Sequence, residues 1–354
     1  GFMNQLLEEA LQYARENGCS DLHLNVDGPA MIRKNGKLIE FPKQFDNAQT
    51  TEMILSMLND LQMEQLKQGK DIDFTYVDQK HERQRVNVYR QQDKLAAAIR
   101  IIDNRIRSLE ELMLPDVLKK LAMEPRGLVL VTGPTGSGKS TTLAAIMQYI
   151  NERRDCHILT IEDPVEYLYE RSKALIHQRE IGRDVDSFDT ALRSAMREDP
   201  DVILVGEMRD YETIAAVVTL AETGHLVFST LHTIGAAKTI DRIIDVFPPH
   251  KQEQIRMQIS GILRAVITQQ LLPTLDGKGR VAALEIMVGN DAISSMIRDN
   301  KVHQINSQIQ TGAKDGMQTL NFALAKLVRT QKIGLDIAEK YSDDAKELRQ
   351  YLGM

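Results

Sequence analysis

The alternation of hydrophobic and polar residues divides the chain into two parts with different patterns. In the first hundred residues, apolar positions recur at helical spacing over 6–14 and 52–66. They alternate with polar residues over 22–26, 72–76 and 86–88, and a further apolar run covers 95–102. Turn signals stand at Asp27-Gly28 and Asn35-Gly36. This pattern predicts a small α+β domain over residues 3–102.

A polar, arginine-bearing stretch follows, and we interpret residues 103–116 as a linker. From 117 to 354, short apolar runs are separated by longer helical stretches. That pattern predicts an α/β domain with a parallel sheet, whose ligands gather at the carboxyl ends of the strands. Beyond about Asp241 we expect mostly helix, with a turn at Asp276-Gly277. The predicted strands are Leu128–Val131, His157–Ile161, Val202–Val205 and Leu226–Ser229.

The first of these strands runs into a glycine-rich loop with the pattern G-x-x-x-x-G-K-[ST], and a helical stretch follows it. Glycines let successive backbone N–H groups turn towards a phosphate chain. Lys139 would reach the β- and γ-phosphates, and the hydroxyl of Ser140 would bind Mg²⁺. The motif predicts an ATP site with these residues: Gly133, Pro134, Thr135, Gly136, Ser137, Gly138, Lys139, Ser140, Thr141 and Thr142.

Polar residues also follow the next two strands. Glu162, Asp163 and Glu166 come after the second strand, where carboxylates suit Mg²⁺ coordination and the positioning of a water. A solvated acidic turn would show the same sequence. Glu207 and Arg209 come after the third strand, and an apolar strand that ends in an acid is the Walker B pattern. An ordinary strand end is the alternative.

Two histidines and three arginines are further candidates. His232 follows the fourth strand and could touch a γ-phosphate, while His225 precedes that strand. Either histidine could instead be a structural hydrogen-bonding group. Arg85, Arg90 and Arg100 lie on predicted strands of the first domain. They are solvated, or they act as fingers that stabilise charge on a transferring phosphoryl group.

Charge and cysteine content narrow the class of protein. The formal net charge is −6, which argues against a dedicated nucleic-acid binder. No apolar run is long enough to span a membrane, and the amino terminus lacks the apolar core of a signal peptide. Cys19 and Cys156 are too far apart in sequence for a disulfide framework or a CxxC zinc site. We therefore expect a cytoplasmic protein.

Together the motifs resemble the secretion and type IV pilus motor ATPases, and within them the PilT-type retraction ATPases. GPTGSGKSTT (133–142) is similar to the Walker A segment of that family, and ILTIEDPVEY (158–167) to its Asp box. LRSAMREDPDVILVGEMRD (192–210) is similar to the Walker B region, and AETGHLVFSTLHT (221–233) to the His box. The likeness covers nearly the whole chain, including SDLHL (20–24) and RVN (85–87).

The resemblance implies a homohexamer of two-domain subunits. Each subunit would have a PAS-like amino-terminal domain and a RecA-like ATPase domain with a helical carboxy-terminal extension. It implies that Glu166 orients or activates the attacking water, that Glu207 serves Mg²⁺, and that His232 lies near the γ-phosphate or at the domain interface. Arg85 and Arg100 would be arginine fingers. The implied partners are an inner-membrane platform protein and the pilus base, at the inner face of the cytoplasmic membrane, with ATP and Mg²⁺ as cofactors.

The sequence leaves the type of motor open. Pilus-extension and type II secretion relatives carry a tetracysteine zinc insertion, which this chain lacks, so retraction is favoured. However, Ser294 and Ser295 replace the arginine and asparagine of the helix AIRNLIRE that is typical of retraction ATPases. A PilU-like accessory motor therefore stays open. So do two further classes of protein, a nucleic-acid translocase on the same core and a non-catalytic nucleotide-gated scaffold.

Overall fold

The computed structural model describes residues 3–103 and 105–354. The chain forms two compact units, the first ending at Arg105 and the second beginning at Ile106. Asn104, inside the predicted linker, lies outside the described residues. Leu109 and Leu114, also in the predicted linker, are buried in a core cluster of the second unit, so this unit starts before residue 117. No helix in the described part of the chain has the length and apolarity that a membrane span requires.

The first unit is an antiparallel sheet with helices, as the sequence predicts. Its strand order is β3-β2-β1-β6-β5-β4. Leu22, Leu24, Val86 and Ile99 are fully buried among the residues of one core. The elements are α1 (Gln5–Glu16), β1 (Asp21–Asn25), β2 (Met31–Lys34), β3 (Lys37–Glu40), α2 (Asn47–Leu55), α3 (Asp60–Lys67), β4 (Ile72–Val77), β5 (Arg83–Gln91) and β6 (Lys94–Ile101).

The helix predicted over 52–66 is two helices. The break comes at Asn59, whose side chain accepts a hydrogen bond from the backbone N–H of Gln62, while the Gln62 side chain accepts one from the Asn59 N–H. This reciprocal capping box satisfies N–H groups that a helix start otherwise leaves unpaired. Asn35 and Gly36 both have positive φ and form the turn between β2 and β3, as predicted.

The second unit contains a seven-stranded sheet in the order β13-β12-β7-β11-β10-β8-β9. The strands from β12 to β9 are parallel, and β13 is antiparallel to β12. The elements are α4 (Val117–Ala122), β7 (Gly127–Thr132), α5 (Lys139–Arg153), β8 (His157–Glu162), β9 (Leu175–Glu180), α6 (Phe188–Ala195), β10 (Val202–Val205), α7 (Tyr211–Glu222), β11 (Leu226–Leu231), α8 (Ala236–Asp245), α9 (Gln252–Ile262), β12 (Leu263–Pro273), β13 (Arg280–Val288), α10 (Asp291–Arg298), α11 (Ile305–Thr311), α12 (Leu320–Arg329), α13 (Leu335–Tyr341) and α14 (Ala345–Tyr351).

The four predicted strands form the centre of this sheet. β7, β10 and β11 are buried on both faces, which explains their continuous apolar runs. Because these strands are parallel, their carboxyl ends meet at one edge of the sheet. The predicted polar clusters of this domain each follow the carboxyl end of one of these strands. His225 instead precedes β11.

The expectation of mostly helix beyond Asp241 is wrong for residues 263–288. This segment is the hairpin of β12 and β13, with Asp276-Gly277 in its turn, as predicted. β12 lies beside β7, so it is buried and apolar along most of its length. A buried apolar run has the same composition in a strand and in a buried helix, so periodicity does not separate them.

Candidate nucleotide-hydrolysis site

The glycine-rich loop connects β7 to α5 at the carboxyl edge of the sheet. Gly133, Gly136 and Gly138 all have positive φ, a conformation that glycine adopts most easily. Gly138 is the amino-terminal cap residue of α5, so the unpaired N–H groups of the first helical turn follow it directly. The positive end of that helix favours a phosphate at this position.

The ammonium group of Lys139 links this loop to the end of β11. Its Nζ donates to the carbonyl oxygen of Gly133 at 2.6 Å and to that of Leu231 at 3.4 Å. It also lies 3.0 Å from Nδ1 of His232. Partial burial lowers the pKa of Lys139, and the charge of Glu207 opposes that shift. In the motif that this loop carries, the lysine is the group that reaches the β- and γ-phosphates of a nucleotide.

His232 connects Lys139 to Glu207. An ammonium group can only donate hydrogen bonds, so Nδ1 of His232 accepts from Lys139. The hydrogen of the imidazole is then on Nε2, which lies 2.9 Å from Oε1 of Glu207 and donates to it. The contacts assign the tautomer of His232 and join the end of β11 to the residues after β10.

Glu207 is held by two donors. Burial alone would raise its pKa, but hydrogen bonds from Arg209 and His232 outweigh that effect, and the pKa of Glu207 is lowered. Nε of Arg209 lies 2.8 Å from Oε1 of Glu207. The carboxyl group is thus kept ionised, which a Mg²⁺-serving acid requires.

Glu166 stands in the segment after β8. Its side chain is exposed in the cleft, yet surrounding protein partly desolvates the carboxyl group and raises its pKa, against a hydrogen bond from the Ser140 hydroxyl. The neighbouring Tyr167 hydroxyl lies 2.9 Å from Oγ1 of Thr141. Glu166 is therefore beside the first turn of α5, next to the predicted Mg²⁺ ligand Ser140.

These residues line one cleft of about 600 Å³. It brings together residues from the glycine-rich loop and from the ends of β8, β10 and β11, as the parallel sheet predicts. Predicted site residues on its wall are Thr135, Gly136, Ser137, Gly138, Lys139, Ser140, Thr141, Glu162, Asp163, Glu166, Glu207, Arg209 and His232.

Comparison with known proteins agrees with this geometry. The family model "Type II/IV secretion system protein" matches residues 1–352. A "Twitching motility protein" of Neisseria gonorrhoeae is 50% identical over 320 residues, covering 90% of this chain and 85% of the relative. A type IV pilus retraction ATPase, PilT, of Pseudomonas aeruginosa is 49% identical over 324 residues, covering 91% and 94%. The chain belongs to the PilT family of secretion and pilus ATPases.

A solved structure of the pilus retraction motor PilT with bound ADP has the same fold. The two structures superpose with a TM-score of 0.88, and their sequences are 43% identical. The superposition covers 97% of this chain and 98% of the PilT chain. Family membership makes this chain an ATPase of two domains, an antiparallel-sheet amino-terminal domain and a RecA-like domain. The resemblance seen in the sequence motifs is confirmed.

The other predicted site residues of this PilT-family ATPase are Gly133, Pro134 and Thr142 of the same loop and helix start, His225, and two arginines of the first unit. His225 precedes β11, at the amino end of the strand, and its Nδ1 lies 2.8 Å from the carbonyl oxygen of Leu220 at the end of α7. The structure does not bring His225 to the cleft. Arg85 and Arg100 belong to the first unit, where they are directly opposite each other on β5 and β6.

Two residues of β12, Thr268 and Gln269, support the glycine-rich loop, and no sequence motif identifies them. Gln269 is almost fully buried, and its Oε1 accepts a hydrogen bond from the Thr142 hydroxyl at 2.7 Å. The Thr268 hydroxyl lies 2.8 Å from that of Thr132 and accepts a hydrogen bond from the Gly235 N–H at 3.2 Å. β12 thus connects the glycine-rich loop and the start of α8.

Proposed function

We propose that this ATPase is the motor that drives type IV pilus retraction, working as a homohexamer on ATP and Mg²⁺. The observation that carries the proposal is the single cleft in which Lys139, His232 and Glu207 form one hydrogen-bonded chain beside Glu166. The names of its relatives, a twitching motility protein and a pilus retraction ATPase, support the biological role.

The catalytic roles follow from the needs of phosphoryl transfer, which are positioning and charge stabilisation. Backbone N–H groups of the glycine-rich loop and the Lys139 ammonium would hold the β- and γ-phosphates. Glu166, with its raised pKa, would accept a hydrogen bond from the attacking water and orient it. His232 donates to Glu207 and accepts from Lys139, so it would register whether the γ-phosphate is present.

The cleft also fits Mg²⁺. Ser140 offers a hydroxyl oxygen and Glu207 an ionised carboxyl group on the same wall, and oxygen ligands suit this ion. Ser140 would hold the ion directly and Glu207 through water. When bound with ATP, Mg²⁺ neutralises charge on the phosphate oxygens.

Arg85 and Arg100 are proposed as arginine fingers. Val86 and Ile99, their neighbours in sequence, point into the core of the first unit, so the arginines point to the opposite face. Two like charges directly opposite each other on a sheet are unfavourable. Their acidic partners form only weak pairs at the surface, Asp73 at 3.3 Å from Arg85 and Asp21 at 3.6 Å from the largely exposed Arg100. An anionic ligand that both arginines reach would explain the pair.

Hydrolysis would drive retraction through opening and closing of the subunits around the ring. The ring would act at the inner face of the cytoplasmic membrane, on a platform protein and the base of the pilus. The test is complementation of a bacterium whose own retraction ATPase gene is deleted. We expect this chain to restore twitching and the Glu166→Gln variant not to. Piliated cells that stay immobile with the wild-type chain at normal expression would contradict the proposed role.

A further inference from the structure

The segment that carries Glu166 has little support from its own backbone. The described residues 163–171 run from the end of β8 without forming helix or strand. Backbone N–H and C=O groups in such a segment need partners from elsewhere. The position of the Glu166 carboxyl therefore depends on which groups hold the backbone on either side of it.

Two side chains of β9 supply those partners. Oε1 of Glu180 accepts a hydrogen bond from the Val165 N–H at 3.0 Å. Nε2 of Gln178 donates to the Tyr167 carbonyl oxygen at 2.7 Å, and Oε1 of Gln178 accepts from the Tyr169 N–H at 3.3 Å. The residue before Glu166 and the residue after it are thus each tied to β9.

The spacing of these two side chains makes the arrangement possible. Gln178 and Glu180 are two residues apart on a strand, so they project from the same face. β9 is paired in parallel with β8, where Glu180 is opposite Glu162 and Gln178 is opposite Thr160. Glu180 is buried, and its own N–H donates to Oδ2 of Asp184 at 2.9 Å, which fixes the end of the strand.

We propose that Gln178 and Glu180 are positioning residues for ATP hydrolysis, acting by holding Glu166 against the first turn of α5. This inference rests on the proposed role of Glu166. The Tyr167 hydroxyl, 2.9 Å from Oγ1 of Thr141, is the third anchor and ties the same segment to the glycine-rich loop. The hydrogen bonds from β9 reach the backbone around Glu166, so they orient the water-activating group without contributing to nucleotide affinity.

The chemistry of the two positions differs, and this provides matched variants. Gln178 acts as donor and acceptor at once, so Gln178→Glu keeps its size but removes the donor to Tyr167. Glu180 acts on Val165 only as an acceptor, so Glu180→Gln keeps an acceptor oxygen and Glu180→Ala removes it. His177 lies just before Gln178 on the opposite face and contacts His157, so His177→Ala is a control in the same strand.

The experiment measures kcat and KM for Mg-ATP and the dissociation constant of ADP for these full-length variants. A displacement of about 1 Å in a catalytic group can lower turnover about 100-fold. We expect Gln178→Ala, Gln178→Glu and Glu180→Ala to lower kcat by about tenfold or more, with unchanged ADP affinity. Glu180→Gln and His177→Ala should stay close to wild type. If Gln178→Ala does not fold, Gln178→Glu and the two Glu180 variants carry the test.

A second arm separates positioning from a general structural role. Gln178→Ala introduced into Glu166→Gln should lower turnover no further, because residues that act through one group are not additive. Unchanged kcat in the Gln178 variants and Glu180→Ala, while Glu166→Gln keeps only a small residual turnover, would overturn the inference and leave the proposed function intact. A parallel loss of ADP affinity, or an added loss in the Glu166→Gln background, would also overturn it. Full turnover by Glu166→Gln alone would refute the role of Glu166 and this inference with it.

Discussion

The contact between the glycine-rich loop and β12 leads to a prediction for Gly133→Ala. A Cβ at Gly133 would lie 2.4 Å from the carbonyl oxygen of Gln269 and 2.7 Å from Oγ of Ser137. Separations below 3.0 Å essentially never occur for real Cβ atoms, so the loop and the strand must move apart by about 0.6 Å. The nearest obstacle is backbone of a buried strand, which cannot rotate away.

The magnitude follows from two terms. Alanine at the φ of Gly133, +146°, where side chains are rarely found, costs about 1–3 kcal/mol, and forcing an extra carbon into a packed site costs about 1–3 kcal/mol. Because about 1.4 kcal/mol corresponds to a tenfold change in affinity, ADP binding weakens about fivefold or more if half of the combined cost falls on the bound state alone.

The assay is titration of ADP into the purified variant, with thermal unfolding measured in parallel. Gly224→Ala is the matched control, since Gly224 also has positive φ but a Cβ there meets no described atom within 4 Å. The control should lose stability and keep its ADP affinity. If Gly133→Ala binds ADP as tightly as wild type, β12 does not set the shape of the phosphate loop.

Three further predictions concern the charged groups. Because burial raises the pKa of Glu166, turnover should fall on acidification at a pH above the usual pKa of a glutamate; a kcat–pH profile that falls only at the ordinary value would contradict this role. The pKa of Glu207 is lowered in the folded state, so ionised Glu207 stabilises the fold above its unfolded pKa, and this stabilisation is lost as pH falls through the folded pKa. Melting temperatures across the acid range should therefore depend less on pH in Glu207→Gln than in wild type, and equal slopes would be inconsistent with the assignment. Arg100→Ala should lower kcat by about 10³-fold if Arg100 is a finger, while Arg90→Ala, at the far end of β5, should not; undiminished ATPase in Arg100→Ala would refute the finger.

Much of the site could be predicted because its residues follow strands that are buried on both faces. The strands β7, β8, β10 and β11 are largely apolar and buried, so the sequence shows where each strand ends and which charged or polar cluster comes next. Parallel pairing then brings Lys139, Glu166, Glu207 and His232 to one edge.

The supporting residues could not be predicted, for two physical reasons. β9 is an edge strand of mixed polarity, LIHQRE, and carries no alternation strong enough to identify it. β12 is largely apolar in its first half, where Arg264 is the one charged residue, and such a run is also typical of a buried helix. The roles of Thr268 and Gln269 could therefore not be recognised. Contacts such as Gln269 to Thr142 join residues 127 positions apart, and nothing local in the sequence encodes them.

The helix with Ser294 and Ser295 shows how the fold absorbs a departure from a family pattern. α10 is present, its amino-terminal cap is Asn290, and Ile293 and Ile297 are buried. The Ser294 hydroxyl donates to the carbonyl oxygen of Ser260 at 2.8 Å. The helix is therefore kept, and only the character of its polar positions has changed.

We expect this cleft to hydrolyse ATP through Glu166 in a ring of subunits. The most direct test is Mg-ATP turnover of the purified chain and of Glu166→Ala, with the mass of each in solution. The purified chain should form a hexamer that turns over Mg-ATP, and Glu166→Ala should lose this turnover while it still assembles and binds ADP. Equal turnover by the two proteins would contradict this expectation.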